Sequence, residues 1–398
     1  MGKTVSSHKK ALYAFSFFIF VTLLVHIILL ILDRGSQLDL YFLRLDDFMA
    51  DFLNHVRYSV RRNPYFDEKI DPMHHNQAAL FYMFCWAVGR MAEVKDDVDV
   101  GWLGTMWENR LLLLLSFFYL MASVLVLIHS LLCLSLKFKA SRMIIFPLMV
   151  STVMLYTIER ANPIIIAAAC ITYFIAFYDS PDRKKRLFAC LCLALAAAFK
   201  IYPALFGFLY FEKRQYREIV LSAVMAMVLF FLPFFFFRHG ILNFPRLLQN
   251  WSRFAATAPK GPFITIMKLV GVAALFLSLF QKRLFDRLVC IVFPVLILST
   301  NAAFYTTLYF FPLVVLLFNS TQNTSGGQDL AISVFHRVFF SVYFALLLMP
   351  LQVAKLFLQN GSNSNVFLYG KTRAYVFIIV FCAVLATTVM ERWKSWRK

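Results

Sequence analysis

Long apolar runs separated by short polar segments set the hydrophobic pattern of this chain. A helix of about 20 apolar residues is long enough to cross the hydrocarbon core of a bilayer. The pattern therefore predicts an all-α polytopic membrane protein, a single domain over residues 1–398, with about 10–12 transmembrane helices. We expect the spans near residues 11–32, 111–136, 143–158, 163–178, 217–237, 263–280, 288–300, 302–318, 338–357 and 374–390.

The charge distribution predicts the orientation of these spans. The chain is 61% hydrophobic and carries a net charge of +19, but its basic residues lie in short clusters between apolar runs, such as "RKKR" at 183–186. Clusters of this kind are typical of cytoplasmic loops, so we expect no nucleic-acid partner. Segment 33–110 holds 13 of the 21 acidic residues and 9 of the 40 basic ones, which predicts that it lies outside with both termini in the cytoplasm.

The start of the chain favours an uncleaved first span over a signal peptide. Lys3, Lys9 and Lys10 precede the apolar run 11–32. This run is longer than the apolar core of a signal peptide, and no small-residue cleavage pattern follows it.

The first outer loop, 33–110, contains two apolar patterns of its own. Apolar residues recur at spacings of three and four, which predicts an amphipathic helix lying along the membrane surface; they are Leu45, Phe48, Met49, Phe52, Leu53, Val56 and Val60. The stretch "AALFYMFCWAVGRM" (78–91) is short for a span and is followed by acidic residues, so we interpret it as a second interfacial helix.

Segment 187–211 has basic clusters on both flanks, which a single crossing would place on opposite sides of the membrane. A re-entrant pair of half-helices meeting at "FKIYP" keeps both clusters inside, and Pro203 disfavours helix at Tyr202. Lys200 then lies at the turn of this hairpin. Ionisable residues at membrane depth are rare and mostly functional, so Lys200 is a candidate for holding a phosphate.

Carboxylates in the first outer loop are candidates for acid–base chemistry. Asp46 and Asp47 lie between the first span and the surface helix, where partial desolvation makes a carboxylate a better base. The competing interpretation is that they cap the helix or pair with Arg44 or Arg57.

Two further segments predict anion binding. Arg160 and Asn162 precede Pro163 at the expected start of a helix, whose free amides together with Arg160 would form an anion site; an ordinary pair of Glu159 with Arg160 is equally compatible. The outer loop 238–262 carries basic residues and no acid, which suits a phosphate-bearing ligand or, alternatively, anionic lipid headgroups. The sequence shows no nucleotide-binding, hydrolase or metal-site motif, and the spacing of its seven cysteines predicts neither disulfides nor a metal site.

The chain resembles the GT-C superfamily of membrane glycosyltransferases, and within it the polyprenyl-phosphate-mannose-dependent α-mannosyltransferases. Three segments carry the resemblance: "DDFMADFLNHVRYSVRRNPYF", in which Asp47 stands eighteen positions before Tyr65; "RAN" at 160–162; and "AAAFKIYPALFGFLYFEKR" around Lys200. Ala161 replaces the usual glycine of the second motif. The stretch after Tyr65 has one proline and a His74–His75 pair, which points to a different sugar or acceptor.

The resemblance implies an inverting transfer of mannose or another hexose or pentose from a polyprenyl-phosphate donor to a glycolipid or glycan acceptor. Asp47 would be the general base, with Asp46 as the alternative. The implied donor-phosphate residues are Arg160, Asn162, Lys200, Arg238 and His239, and the implied acceptor or sugar contacts are Asn63, Tyr65, Tyr202, Asn250 and Trp251. We expect no metal requirement, a monomer surrounded by membrane lipids, and an extracytoplasmic active site in a bacterial cytoplasmic membrane.

Two other functions remain open from the sequence. A transporter or flippase of a lipid-linked sugar also needs broken helices and a buried lysine. Such a transporter would show internal repeats, and none is visible in this sequence. An O-antigen-ligase-like enzyme would need a large late outer loop with arginines. The late outer loop predicted here, 358–373, is small, and its only basic residues are Lys371 and Arg373.

Overall fold

The computed structural model describes residues 48–60, 63–66, 76–95, 108–140, 142–256, 261–281, 283–298 and 303–318, with Cys382 and single positions between 13 and 32. The segments are helical, and the described part of the chain contains no β-strand. The all-α prediction is therefore confirmed for these residues.

The α-helices are numbered here in chain order. They are α1 (Ala50–Val60), α2 (Ala79–Met91), α3 (Arg110–Lys137), α4 (Ile145–Met149), α5 (Thr152–Arg160), α6 (Ile164–Phe177), α7 (Arg183–Phe199), α8 (Phe208–Glu212), α9 (Tyr216–Phe231), α10 (Asn243–Ala256), α11 (Pro262–Ser278), α12 (Leu284–Leu298), α13 (Ala303–Thr306) and α14 (Phe310–Leu317). Short 3₁₀ segments join several of them, at Arg142–Ile144, Tyr202–Gly207, Leu232–Phe236, Gly240–Leu242 and Thr307–Tyr309.

Two helices in the described part are long and apolar enough to cross a bilayer. They are Arg110–Lys137, with 28 residues, and Tyr216–Phe236, with 21 residues. Arg142–Met149 and Val153–Arg160 form a third candidate if they are one span bent by 56°. These agree with the spans predicted at 111–136, 217–237 and 143–158.

The other predicted spans correspond to shorter helices or lie outside the described residues. The spans at 163–178, 263–280 and 288–300 match α6, α11 and α12, while the span at 302–318 is divided into α13, a 3₁₀ turn and α14. The spans at 338–357 and 374–390 are outside the described residues, apart from Cys382. Between 11 and 32 the described positions are helical, and the Phe15 ring lies 5.3 Å from that of Phe318. The total of about 10–12 helices stays a prediction.

The helices α3, α6, α7 and α9 pack side by side in this order, with α6 between α3 and α7, and with α7 between α6 and α9. Both α6 and α7 are rich in buried alanine: Ala167, Ala168, Ala169, Ala194, Ala196 and Ala198 are all buried. Small side chains let helix backbones approach closely, which compensates for the weak hydrophobic drive between helices in lipid.

The amphipathic helix predicted in the first outer loop is present as α1, but protein covers its apolar stripe. Phe52, Leu53 and Val56 are fully buried, and the Phe52 ring stacks on Tyr119 of α3 at 4.4 Å. Gly89 of α2 permits the close approach of α1, because a Cβ there would lie 2.3 Å from Val60. The apolar face of α1 therefore packs on α2 and α3 instead of on lipid.

The chain reverses direction at Lys200. Helix α7 ends at Phe199, and Lys200 is extended, with φ −144° and ψ 121°. The returning segment lies beside α7, since the Tyr210 hydroxyl is 3.2 Å from the Cys190 sulfur. The reversal falls at the predicted turn of 187–211, but in place of two short half-helices the 17-residue α7 is followed by a 3₁₀ segment and the five-residue α8. The re-entrant hairpin in a membrane stays a prediction.

The basic loops meet at one end of the molecule. Lys137 pairs with Asp179, Arg186 with Glu218 at 3.3 Å, and Arg287 with Glu212. Asn162 and Lys200 lie at the opposite ends of α6 and α7 from these loops. A 17-residue helix such as α7 is about 25 Å long, which separates the two groups.

The turn between α5 and α6 contains a non-glycine residue in the left-handed region. Ala161 has φ 49° and ψ 41°, and it is fully buried. Its amide donates to Ile158 O, and the Asn162 amide donates to Thr157 O, which satisfies the last carbonyls of α5. A residue with a Cβ costs about 1–2 kcal/mol in this conformation.

Ala161→Gly is expected to raise the free energy of unfolding by about 0.5–1 kcal/mol, because glycine removes this strain at some cost in unfolded-state entropy. Thermal unfolding in detergent is the measurement. Ala169→Gly, in the middle of α6, is the matched control and is expected to lower stability by about 1 kcal/mol. A loss of stability in Ala161→Gly would show that the backbone at Ala161 is not strained.

Candidate functional site

An ion pair joins the first outer loop to the turn between α5 and α6. The Arg160 guanidinium donates from Nε and Nη2 to Asp51 Oδ1, at 3.2 Å and 2.9 Å. Asn162 Nδ2 donates to the other oxygen, Oδ2, at 2.6 Å. The Arg160 and Asp51 side chains are 18% and 19% exposed, so the pair is shielded yet reachable from solvent.

Local sequence positions each partner of this cluster. Asn162 caps α6 through Oδ1, which accepts from the Ile164 amide at 3.0 Å, and this leaves its Nδ2 for Asp51. The Met49 amide donates to Glu159 O at 2.8 Å, so the backbone before α1 is fastened to the last turn of α5. The turn predicted to bind an external anion thus binds the carboxylate of Asp51.

The surroundings keep Asp51 ionised. Burial pushes the pKa of this carboxyl upward, but the charge of Arg160 and hydrogen bonds from Asn162, Tyr305 and Arg160 hold the pKa below its ordinary value of 3.8. The Tyr305 ring stacks on Tyr156 at 5.3 Å, which fixes the phenol beside the carboxylate. A carboxylate with so many donors is a poor proton acceptor at neutral pH.

Lys200 supplies a second cation beside this cluster. Its Nζ donates to Gln77 Oε1 at 2.8 Å, and the charge of Asp51 acts on it. Gln77 is buried and lies just before α2, so the hairpin turn meets the first outer loop at this contact. Three of the predicted phosphate-binding residues, Arg160, Asn162 and Lys200, are therefore brought together.

The remaining phosphate candidates, Arg238 and His239, lie in a separate group. Arg238 O accepts from Asn63 Nδ2 at 2.9 Å and from Asn243 Nδ2 at 3.0 Å, and its side chain is exposed. His239 has φ 74°, and its ring lies 5.3 Å from that of Phe66. This group fastens the loop after α9 to the first outer loop.

Three of the predicted sugar contacts belong to the same group of contacts between the loop after α9 and the first outer loop. The Tyr65 amide donates to Asn63 Oδ1 at 2.9 Å, and its buried hydroxyl donates to Gln77 O at 3.2 Å. Trp251 Nε1 donates to Asn76 O at 2.6 Å. Gln77 thus links this group to Lys200, and Asn63, Tyr65 and Trp251 have structural partners; their roles as ligand contacts stay predictions.

The last two predicted contacts differ in position. Tyr202 follows the hairpin turn, and its ring meets that of Tyr309 at 6.1 Å in an edge-on arrangement. The hydroxyls of Tyr202 and Tyr309 are buried, and neither has a hydrogen-bond partner in the described part of the chain. Asn250 is fully buried in α10, on the face that packs against the protein.

Asp46 and Asp47, the predicted bases, lie outside the described residues. The sequence interpretation missed Asp51, Gln77 and Tyr305 as site residues. The spacing from Asp47 to Asp51, one helical turn, was the available signal for Asp51. No local pattern pointed to Gln77 or Tyr305, because their partners are distant in the sequence. Gln77 pairs with Lys200, 123 residues away, and Tyr305 pairs with Asp51 in the first outer loop.

No group of three or more His, Cys, Asp or Glu side chains suited to a metal occurs within the described residues. The described cysteines, which include Cys382, are free thiols. The polar chemistry of the described site therefore consists of one carboxylate, two cations and several amides and phenols.

Comparison with protein families gave one match. The model of "Glycosyltransferase family 87" matches residues 100–311, which include Arg160, Asn162, Lys200 and the loop after α9. No curated protein and no solved structure matched the chain.

The Asp51–Arg160 pair is expected to give a coupling energy of about 1–3 kcal/mol in a double-mutant cycle of Asp51→Asn and Arg160→Gln, since both groups are largely shielded. Unfolding free energies in detergent are the measurement. A cycle of Asp51→Asn with Lys213→Gln, at the opposite end of the molecule, is expected to be additive within about 0.5 kcal/mol. Equal coupling in both cycles would rule out the specific pair.

The stability lost in Asp51→Asn is expected to depend on pH. The pKa of Asp51 is lower in the folded state than in the unfolded state, so its contribution is present above the unfolded value and disappears as pH falls through the folded one. The difference between wild type and variant should be constant from about pH 8 to 5 and shrink below about pH 4. A difference that grows on acidification would contradict the assigned pKa direction.

Proposed function

The chain belongs to glycosyltransferase family 87, and since this membership implies glycosyltransferase activity, we propose that it transfers a sugar from a polyprenyl-phosphate donor to a glycolipid or glycan acceptor. The sugar is mannose or another hexose or pentose. The reaction takes place on the extracytoplasmic face of a cytoplasmic membrane, with the protein acting as a monomer whose N- and C-termini lie in the cytoplasm.

The grouping of Arg160 and Lys200 around the first outer loop is the observation that carries this proposal. In an inverting transfer, an acceptor oxygen forms a bond to the anomeric carbon while the bond from that carbon to the phosphate oxygen breaks. The departing polyprenyl phosphate gains negative charge, and fixed cations in a shielded site stabilise that charge. Arg160 and Lys200 are cations of this kind, each held by a defined partner.

The position of the site relative to the basic loops supports the extracytoplasmic face. The pairs Lys137–Asp179, Arg186–Glu218 and Arg287–Glu212 mark one end of the molecule, and basic loops are retained in the cytoplasm. Asn162 and Lys200 lie at the other end. A polyprenyl-phosphate donor with its head on the outer face would meet this end.

Asp47 is the proposed general base that takes the proton of the acceptor hydroxyl, with Asp46 as the alternative. The acceptor hydroxyl must lose a proton, and Asp51 is unsuited to take it because Arg160 and Asn162 already bind both of its oxygens. Asp47 precedes Met49 by two residues, and Met49 is hydrogen-bonded to Glu159 beside Arg160. Asp51 then acts as a positioning residue that holds Arg160 and Asn162 in place.

Other residues complete the proposed site without a metal. Arg238 and His239 would add positive charge for the donor phosphate from the loop after α9. The hydroxyls of Tyr202 and Tyr309, which have no hydrogen-bond partner among the described residues, suit the hydroxyl groups of a sugar, and Tyr202 follows Lys200 by two residues. Asn63, Tyr65, Asn250 and Trp251 would shape the acceptor side. A monophosphate leaving group carries less charge than a diphosphate, so protein cations suffice.

Asp47→Asn is expected to lower kcat by about 10²–10⁴-fold, because the acceptor proton loses its base. Asp51→Asn is expected to lower kcat by only about tenfold, because it disturbs Arg160 without removing the base. The measurement is transfer of radiolabelled sugar from polyprenyl-phosphate donors in membranes, with linkage analysis of the product. Full turnover in Asp47→Asn, or a larger loss of kcat in Asp51→Asn than in Asp47→Asn, would show that Asp47 is not the base.

Lys200→Met is expected to lower kcat by about 10²–10³-fold, since a charge that stabilises the departing phosphate is removed from a shielded site. Lys185→Met removes a lysine from the opposite, basic end and should leave kcat within about twofold. Transport of the intact lipid-linked sugar, with no transfer to any acceptor, would contradict the enzyme and favour a flippase.

A further inference from the structure

A cationic patch lies where the loop after α9 meets the first outer loop. Asn63 Nδ2 donates to Arg238 O at 2.9 Å and to Asn243 Oδ1 at 2.9 Å, which fastens the two segments to each other. This fastening brings Phe66 to α10, where the guanidinium carbon of Arg246 lies 5.4 Å from the centre of the Phe66 ring. Residues 180 positions apart in the sequence thus form one surface.

Arg246 lacks a counter-ion in the described part of the chain. Its Nη1 donates to Gln249 Oε1 at 3.2 Å, one turn further along α10. Its Nε is buried and has no hydrogen-bond partner within the described residues. Segment 238–262 also contains no acidic residue. A guanidinium held over an aromatic ring without a carboxylate beside it is suited to bind an anion from outside the protein.

Phe66 gives the patch an apolar surface next to this cation. It is 41% exposed, although Tyr65, the residue before it, is buried. A sugar ring presents apolar C–H groups on its faces and hydroxyl groups at its edge, so it matches an aromatic side chain beside a hydrogen-bond donor. A small inorganic anion would need the arginine alone. The patch therefore fits a sugar that carries an anionic group.

Two side chains connect the patch to the proposed active site. Tyr65 donates from its hydroxyl to Gln77 O at 3.2 Å, and Gln77 Oε1 accepts from Lys200 Nζ at 2.8 Å. The patch is thus separated from the phosphate-binding cation by about the length of a tyrosine and a glutamine side chain. His239, proposed on the donor side, lies with its ring 5.3 Å from that of Phe66. A sugar at the patch would be a neighbour of the reacting sugar.

We propose that Phe66 and Arg246 form an acceptor subsite for a sugar that carries a carboxylate or a phosphate ester and is linked to the reacting sugar. This inference rests on the proposed function and adds the class of acceptor that the patch selects. Arg246 binds the anionic group, and Phe66 contacts the sugar ring. No bond of this sugar forms or breaks, so the subsite acts on acceptor binding and leaves the chemical step unchanged.

The phosphate of a bulk anionic lipid is the competing ligand for an arginine on this side of the protein. Arg253, on the same helix, is exposed and suits a lipid headgroup equally well. Arg246 differs in lying over a ring of the first outer loop, next to the residue that connects this loop to Gln77. That position favours the acceptor as the ligand of Arg246 and makes Arg253 the matched control.

Inhibition of the sugar-transfer assay in membranes tests the subsite with the unaltered protein. Three added disaccharides differ at one sugar, which is glucose, glucuronic acid or glucose 6-phosphate. Wild type is expected to bind at least one of the anionic disaccharides about tenfold more tightly than the neutral one, since a charge-assisted hydrogen bond is gained. Comparison of the two anionic disaccharides distinguishes a carboxylate from a phosphate ester. Equal inhibition by all three, or inhibition by none, would overturn the inference.

Arg246→Gln is expected to remove this preference, so that the three inhibition constants agree within about twofold. It should raise KM for the native acceptor and leave kcat within about twofold, because the subsite only binds. Arg253→Gln removes an arginine from the same helix and should keep the wild-type preference. A preference that survives in Arg246→Gln, or that both variants lose equally, would show that Arg246 does not read the acceptor.

Binding in vesicles of neutral phospholipid separates the subsite from the activity and from lipid. The three disaccharides are titrated calorimetrically into reconstituted wild type and Arg246→Gln, with no donor present. The preference of wild type should persist there. An effect of Arg246→Gln that appears only when anionic phospholipid is added would assign the patch to a lipid headgroup and overturn the inference. Absence of transfer from every polyprenyl-phosphate donor would refute the proposed function, whereas the titration needs no donor.

Discussion

The Asp51 carboxylate joins two parts of the chain that are 109 residues apart, and the arrangement of the site depends on it. Arg160 and Asn162 stand at a turn that would otherwise present a cation and free donors to solvent. By accepting from both, Asp51 fixes α1 against the turn between α5 and α6. Burial favours the neutral carboxyl, but the ion pair and the hydrogen bonds outweigh it, so the carboxylate stays charged in a shielded place.

Separation of charge along the molecule follows from the same arrangement. At one end of α6 and α7 lie the ion pairs of the basic loops, Lys137–Asp179 and Arg186–Glu218. At the other end lie Asn162 and Lys200. The reversal at Lys200 makes this possible, because it returns the chain to the basic end after one helix length. Gln77 then connects Lys200 to the first outer loop, and the buried Tyr65 connects that loop to the segment after α9.

Membership of glycosyltransferase family 87 confirms the resemblance at the level of membrane glycosyltransferases. The mannosyl-transferring group, the donor and the acceptor stay predictions. Arg160, Asn162 and Lys200 were predicted as phosphate-binding residues from single-sequence arguments about charge at helix ends and at membrane depth. The structure brings them together, and their role stays a prediction. Asn63, Tyr65 and Trp251 were expected as ligand contacts, and each has a hydrogen bond within the protein, which local sequence did not indicate.

The sequence by itself determined the helical class, the two helices Arg110–Lys137 and Tyr216–Phe236 that are long and apolar enough to cross a bilayer, and the break at Lys200. Apolar length, proline and charge act locally along the chain. Tertiary structure alone decided that α1 would bury its apolar stripe in protein, and that Asp51 and Gln77 would become the partners of Arg160 and Lys200. Those outcomes depend on which distant segments meet. A periodic pattern specifies that a face must be covered, and the packing of other helices specifies what covers it.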